Sequence, residues 1–492
     1  MRRLPVLLAL NALFMLPQPA AADPVDVWRD GQVSRHEDPF LPGPDPLPSR
    51  ARATGPPVAR AAAASTRRAL RSLLETGAID QATYDARTAE YDAVLERITR
   101  LRGARRAHLR STVAEVDRVA AAGGLSAERL PLAFLTIRRN QQWWTTGPVL
   151  AGGRRVRFAG SRLIWQHYPG SGLQVQWLGT FGRANGLFQS TRHDVELREL
   201  LTEAHGLAVP RAGGLAWESW FSFGGGRPGW VSSLSAGTAA QVYARAAIRL
   251  SEPAFFEVGR QALGVFRAPP PDGVRVDVGA GAHYLIYSFA PALRVLNAFT
   301  QAVNGLRDFA VLANDAPARE LFAAGEARLR EELPAYDTGA WSLYSTTREA
   351  DLGYHRLARD FLRGLCNRLT DDRARGVPGP DPGAYCQAAD RFTAYTHRRP
   401  RIAFEAPEPA RPRARRKAAV PFTLDKVATT TTSVSLAGRV VAARTTRRAR
   451  GRHSVVWTPA RPGRYRVVVR AVDLAGNAAT RVVGVRVASP SR

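Results

Sequence analysis

The chain is poor in lysine, cysteine, acidic residues and long apolar runs. Only Lys417 and Lys426 are lysines among 70 basic residues, so nearly all positive charge sits on arginine, which stays protonated at physiological pH. Cys366 and Cys386 are the only cysteines and have no CxxC spacing, which argues against a structural zinc site. After the N-terminal stretch no run of eighteen uninterrupted apolar residues occurs, so no transmembrane span is expected in the mature protein. No GxSxG elbow, HExxH or Walker A pattern is present, which removes the hydrolase and nucleotide chemistries those motifs mark. Gly224-Gly225-Gly226 stands in an aromatic stretch rather than before a helix, so it is not read as a phosphate cradle.

What is there is a globular composition. The 492 residues are 45% hydrophobic and 23% charged, and 70 basic residues against 42 acidic ones give a formal charge of +28. That surplus favours acidic partners: nucleic acid, anionic polysaccharide or a membrane surface. The N-terminus narrows the choice. Arg2 and Arg3 precede a mostly apolar Leu4–Leu16, and Ala20-Ala21-Ala22 offers a small-residue cleavage site, so residues 1–22 read as a signal peptide. A secreted or cell-surface location counts against nucleic acid as partner. In an oxidising compartment Cys366 and Cys386 are expected to form a disulfide.

Composition shifts divide the remainder. Residues 23–60, rich in Pro, Arg and Asp, read as an irregular segment. Residues 61–124 read as a helical hairpin, with Gly77 as a C-cap, a second helix from near Asp80 carrying Tyr84, Tyr91, Leu95, Ile98 and Leu101 along one face, and Gly103 as a point of interruption before Ala107–Ala122 continues in the same style. Residues 125–400 alternate aromatic and Gly-rich segments with helical stretches and read as an all-α toroid. Residues 401–418 read as a basic, Pro-rich linker. From 419 to 492 the period is two: Tyr465, Val467, Val469 and Ala471 share one face, opposite Arg464, Arg466 and Arg470. With turn signals at Pro462-Gly463 and Asp473–Asn477, this reads as a small β-sandwich, and it resembles bacterial Ig-like modules ending in a D-x-x-G-N turn. The expected class is mainly α.

Tyrosines in an unusual context carry the functional reading. Leu333-Pro334-Ala335-Tyr336-Asp337-Thr338-Gly339 precedes Tyr344, and Tyr354-His355 follows ten residues later. Upstream stand Tyr168-Pro169-Gly170-Ser171-Gly172, Gly229-Trp230-Val231-Ser232 and Leu296-Asn297-Ala298-Phe299 with Gly305-Leu306-Arg307-Asp308. In this order, over about 160–365, these segments resemble the C-terminal domain of D-glucuronyl C5-epimerases. The resemblance implies an (α/α) barrel, a homodimer (no dimer face is legible), no cofactor, and an anionic uronic-acid polysaccharide as substrate. C5 epimerisation removes a proton α to a carboxylate and returns it on the other face. It needs a proton-transfer group on each face and a cation at the substrate carboxylate. A phenol beside a cation can serve as acid or base, and arginine can grip a carboxylate bidentately.

Carried over by motif, Tyr344 and Tyr354 match the family's two catalytic tyrosines, Tyr287 a third active-site tyrosine, and His355 the partner of Tyr354. Tyr168, Tyr284, Arg183 and Arg348 are the further substrate-binding candidates, with Arg294 another clamp candidate by proximity. One segment departs from the family. Two glutamates of the family pattern fall on Leu285 and Ile286, which cannot exchange protons. Either Asp277, Glu218 or Asp351 substitutes, or a tyrosine acts as the second base, or the proton chemistry differs from the family's. Three readings follow: a uronate C5-epimerase, a non-catalytic polysaccharide-binding protein on the same scaffold, and a uronate lyase.

Overall fold

The computed structural model describes residues 23–41 and 60–490; the expected signal peptide lies outside them. The chain divides into two compact units, one running to Arg294 and including Ala298–Leu329, the other holding Val295–Asn297 and Arg330 onward. The described residues are mainly helical, with twelve α-helices and several small sheets. None of these helices is long and apolar enough to cross a membrane.

The first unit opens with a hairpin at 23–38, where an irregular segment was expected; 42–59 of that segment lie outside the described residues. Strands β1 (Asp23–Arg29) and β2 (Gln32–Asp38) pair antiparallel, and β1 also pairs in parallel with β3 (Arg155–Phe158). With β4 (Trp165–Tyr168) and β5 (Gly172–Val175) they make a five-stranded sheet in the order β2-β1-β3-β4-β5. Asp38 anchors the hairpin: it is buried, and its carboxylate accepts from Arg157 at 3.1 Å and Arg183 at 2.7 Å.

Three helices, not two, occupy the next stretch: α1 (Arg60–Glu75), α2 (Gln81–Arg100) and α3 (Gly103–Ala121). Asp80 caps α2 by accepting from the Thr83 backbone N–H at 2.8 Å. Gly103 sits at φ +57°, a conformation costly to residues with a Cβ, and there the chain restarts as a separate helix. Tyr91 and Thr66 both donate to buried Asp117 at 2.6 Å, which ties the three helices together. Then follow α4 (Leu130–Thr146), α5 (Trp177–Gln189), α6 (Asp194–His205), the pair β6 (Val209–Arg211) and β7 (Gly214–Ala216), α7 (Ser233–Arg249), α8 (Ala254–Gln261) and the pair β8 (Arg275–Val278) and β9 (Gly281–Tyr284). Helices α9 (Leu296–Leu312) and α10 (Ala316–Glu332) complete the series up to the second unit. Where α7 meets α9, a Cβ on Gly305 would lie 2.0 Å from the Gly237 carbonyl oxygen, so only glycine permits that approach.

In the second unit the pair β10 (Leu343–Ser345) and β11 (Arg348–Glu349) precedes α11 (Leu352–Ala374) and α12 (Gly383–Tyr395). A disulfide joins Cys366 of α11 to Cys386 of α12. The expected linker is built into a sheet instead. Strand β12 (Ile402–Phe404) pairs with β13 (Ala418–Leu424), which pairs with β16 (Gly451–Trp457). Ala414 is buried and donates its N–H to the Ala488 carbonyl. Apolar Ile402, Phe404 and Ala414 give this stretch something to bury, which a tether would lack. The second sheet runs β15 (Arg439–Arg448), β14 (Ala428–Leu436), β17 (Gly463–Asp473), β18 (Ala478–Val487). Tyr465, Val467, Val469 and Ala471 are buried in one apolar cluster shared by both sheets, while Arg464, Arg466 and Arg470 are exposed.

Lys426 fastens this region. Its ammonium is fully buried and donates to the Tyr395 carbonyl (3.0 Å), the Arg398 carbonyl (2.6 Å) and the Asp473 carboxylate (2.9 Å). Asp473 in turn accepts from the Ala475 and Asn477 backbone N–H groups, so the D-x-x-G-N turn is a docking device for the end of α12. All three ammonium donors are satisfied, the condition under which a buried charge is tolerated.

Candidate active site

The segment Asp337–Ser342 is a knot that delivers Tyr344. Asp337 accepts from the Tyr395 hydroxyl (2.8 Å), the Gly339 N–H (2.9 Å) and Arg391 (2.8 Å). Gly339 takes φ +77°, and the Thr338 hydroxyl accepts from the Trp341 N–H at 2.9 Å. Trp341 then stacks on His355, with ring centroids 3.8 Å apart and planes 11° from parallel, and its indole donates to the Ala350 carbonyl at 2.8 Å.

His355 is a positioning group, not a substrate contact. It is completely buried; Nε2 donates to the Phe392 carbonyl at 2.8 Å, which leaves Nδ1 to accept from the Ser342 hydroxyl at 2.7 Å. Burial above all pushes its pKa down to about 4, so the ring is neutral at physiological pH. The Trp341–Ser342–His355 lock holds β10 against the start of α11.

There the two phenols meet. The Tyr344 and Tyr354 ring centroids are 4.5 Å apart, tilted by 49°. The Arg348 guanidinium lies 4.2 Å from the Tyr344 ring centroid. Tyr344 is half-buried, Arg348 is exposed, and Tyr354 keeps 9% of its surface open. Asp351 caps α11 by accepting from the Tyr354 backbone N–H at 2.9 Å, which fixes the first helical turn. The cluster therefore offers two phenols, a cation that makes no ion pair among the described residues, and a carboxylate one turn away. Sequence reading missed Glu349, whose carboxylate accepts from the Arg450 N–H at 3.0 Å beside this cluster.

The other expected site residues separate into two groups. Tyr284 and Arg183 are structural. The Tyr284 hydroxyl is buried and donates to the Leu321 carbonyl at 2.6 Å, and burial pushes its pKa well up. The Arg183 guanidinium is buried between Asp38 and Glu196, at 2.7 and 2.6 Å, so no substrate carboxylate can reach it. Glu218 is likewise occupied, paired with Arg129 and Arg211, and exposed Asp277 pairs with Arg275. Leu285 and Ile286 are buried apolar side chains.

Tyr168 and Tyr287 belong to an aromatic band in the first unit. Tyr168 lies 4.2 Å from Phe221, and Tyr287 lies 5.5 Å from Phe223, 5.3 Å from Trp230 and 5.2 Å from Phe289, with the last pair stacked. Phe223 and Gly226 exchange backbone hydrogen bonds across a turn in which Gly224 and Gly225 both have positive φ. A Cβ on Gly226 would lie 2.3 Å from the Phe289 ring, so the three glycines serve aromatic packing. Phe223 and Phe289 were not singled out from sequence; the alternation Trp220-Phe221-Ser222-Phe223 was the available signal. Among the described residues no group of three or more His, Cys, Asp or Glu side chains could hold a metal ion.

Among solved structures, an endo-beta-1,4-glucanase from Acetobacter xylinum covers 43% of this chain and 71% of its own at 13% identity and a TM-score of 0.30. The alkylpurine DNA glycosylase AlkC of Pseudomonas fluorescens covers 62% and 87% at 12% identity and a TM-score of 0.13. A D-glucuronyl C5-epimerase of Caenorhabditis elegans is 31% identical over 130 residues, 24% of this chain. The chain spans about a fifth of that relative's length, 21%. Residues 214–375 match the family model for the D-glucuronyl C5-epimerase C-terminus, and that epimerase-like segment contains Tyr287, Tyr344, Arg348 and Tyr354.

Proposed function

We propose that the protein is a C5-epimerase of uronic acid residues in an anionic polysaccharide. The observation that carries this reading is the grouping of Tyr344, Arg348 and Tyr354 inside the epimerase-like segment. In the reaction one phenolate removes the C5 proton. The electron pair moves into the substrate carboxyl group, and Arg348 stabilises the resulting enediolate. The other phenol gives a proton to C5 from the opposite face, and proton exchange with solvent restores both tyrosines. Tyr287 and its aromatic neighbours supply flat faces for pyranose rings. In the same reading residues 125–400 form an (α/α) barrel, 419–492 an Ig-like sandwich and 1–22 an export signal, and two chains associate as a homodimer.

Burial of Leu285 and Ile286 favours a second reading, a protein that binds the polymer without turning it over. Incubation with glucuronate polymers in deuterated water separates them. Deuterium at C5 with iduronate formation is the expected result. Retention on the polymer with no exchange would leave the binding protein, and new absorbance from an unsaturated uronate would mean a lyase.

A further inference from the structure

Positive charge is unevenly placed. From Arg401 to the C-terminus there are 20 basic and 4 acidic residues, so these 92 positions carry a surplus of 16 out of the chain's 28. The second unit contains a cleft of about 590 Å³ where the turn Thr338–Ala340, the chain after α12 (398–402) and the start of β18 (Ala479–Arg481) meet. Arg398, Arg399, Arg401 and Arg481 line it, with Asp425 the one acidic residue. Asp425 is engaged: its carboxylate accepts from the Arg401 backbone N–H at 2.8 Å and stands 3.9 Å from Arg398. Arg398 is held as one wall, donating to the Gly339 carbonyl and lying 5.0 Å over the Tyr395 ring. The side chains of Arg399, Arg401 and Arg481 are exposed and make no ion pair or hydrogen bond among the described residues.

We propose that this cleft is a second binding site for an acidic polysaccharide, one that grips carboxylate-bearing sugar units outside the tyrosine cluster. Its size falls within the range of small-ligand sites. Guanidinium groups recognise carboxylates by paired hydrogen bonds, and three without internal partners are set around one opening. No aromatic ring lines the cleft, so nucleobases have no face to stack on, whereas the Thr480 hydroxyl suits a pyranose. None of the lining residues belongs to the Tyr344–Arg348–Tyr354 cluster. The proposal shares with the epimerase reading only the class of polymer; its test is binding and needs no turnover.

The test is equilibrium binding of the full chain to an unsulfated glucuronate octasaccharide. One variant carries Arg399→Ala, Arg401→Ala and Arg481→Ala. A charge-matched variant carries Arg447→Ala, Arg466→Ala and Arg470→Ala, on the exposed face of the four-stranded sheet. The cleft variant should bind at least tenfold more weakly, the sheet-face variant less than threefold, and Arg481→Ala alone should show an intermediate loss if the triple variant fails to fold. Equal losses in both triple variants, or none in the cleft variant, overturn the site in favour of diffuse charge attraction. Binding of single-stranded DNA that is as tight and as sensitive to the cleft substitutions overturns the saccharide assignment.

Discussion

Tyr284 in the first unit and Tyr344 in the second are both tyrosines of epimerase-like motifs, and they have opposite fates. Tyr284 is sealed, its hydroxyl committed to the Leu321 carbonyl. Tyr344 is half-buried beside a second phenol, with an exposed arginine over its face. Arg183 and Arg348 repeat the contrast: one is locked between two carboxylates, the other makes no ion pair among the described residues. A side chain sealed inside the fold stabilises it; one that keeps exposed surface can also touch a ligand. Residue type and motif do not separate the two cases, because the partners that decide are distant in sequence.

The contrast breaks if substitutions at the open cluster and at the sealed sites have similar effects. Tyr354→Phe or Tyr344→Phe should lower C5 deuterium exchange by about 10²–10⁴-fold while leaving unfolding free energy within about 1 kcal/mol. Unfolding with lost exchange would place these tyrosines among the sealed ones. Lys426→Met should destabilise by about 3–5 kcal/mol in urea unfolding, because buried Asp473 loses its counter-charge, and Arg183→Met should cost less, because Asp38 keeps Arg157 and Glu196 keeps Arg162. A smaller pH effect sharpens the comparison. His355 and His167 have folded pKa values near 4, against an ordinary value of 6.5, so below 6.5 the unfolded chain binds protons that the fold refuses. Their contribution is therefore present at neutral pH and is lost as pH falls towards 4. Urea unfolding should show a loss of about 2 kcal/mol per histidine between pH 6.5 and 5, above most carboxylate titration; a flat profile would contradict it. Smallest is Tyr284→Phe, which removes the hydroxyl's added bond to the Leu321 carbonyl and should cost about 1 kcal/mol in the same assay, with exchange unchanged.

Much of the architecture was legible because it follows local periodicity. The helical faces and the two-residue alternation of Tyr465–Ala471 express patterns within a few residues. The tyrosine motif was legible as a resemblance. What escaped depends on long-range pairing. The N-terminal hairpin reaches β3 some 130 residues on, and Arg183 is claimed by Asp38, which is 145 residues away. The presumed linker was hidden by its prolines, although Ile402 and Phe404 signalled a strand.

Lys426, sealed beneath the turn at Asp473, has a practical corollary. With only one other lysine in the chain, and that one exposed, an amine-reactive label applied to the native protein has a single lysine to modify, Lys417. A dye, tether or crosslinker attached through lysine would report from one known strand-flanking position, and labelling at Lys426 would serve as a marker that this part of the molecule had opened.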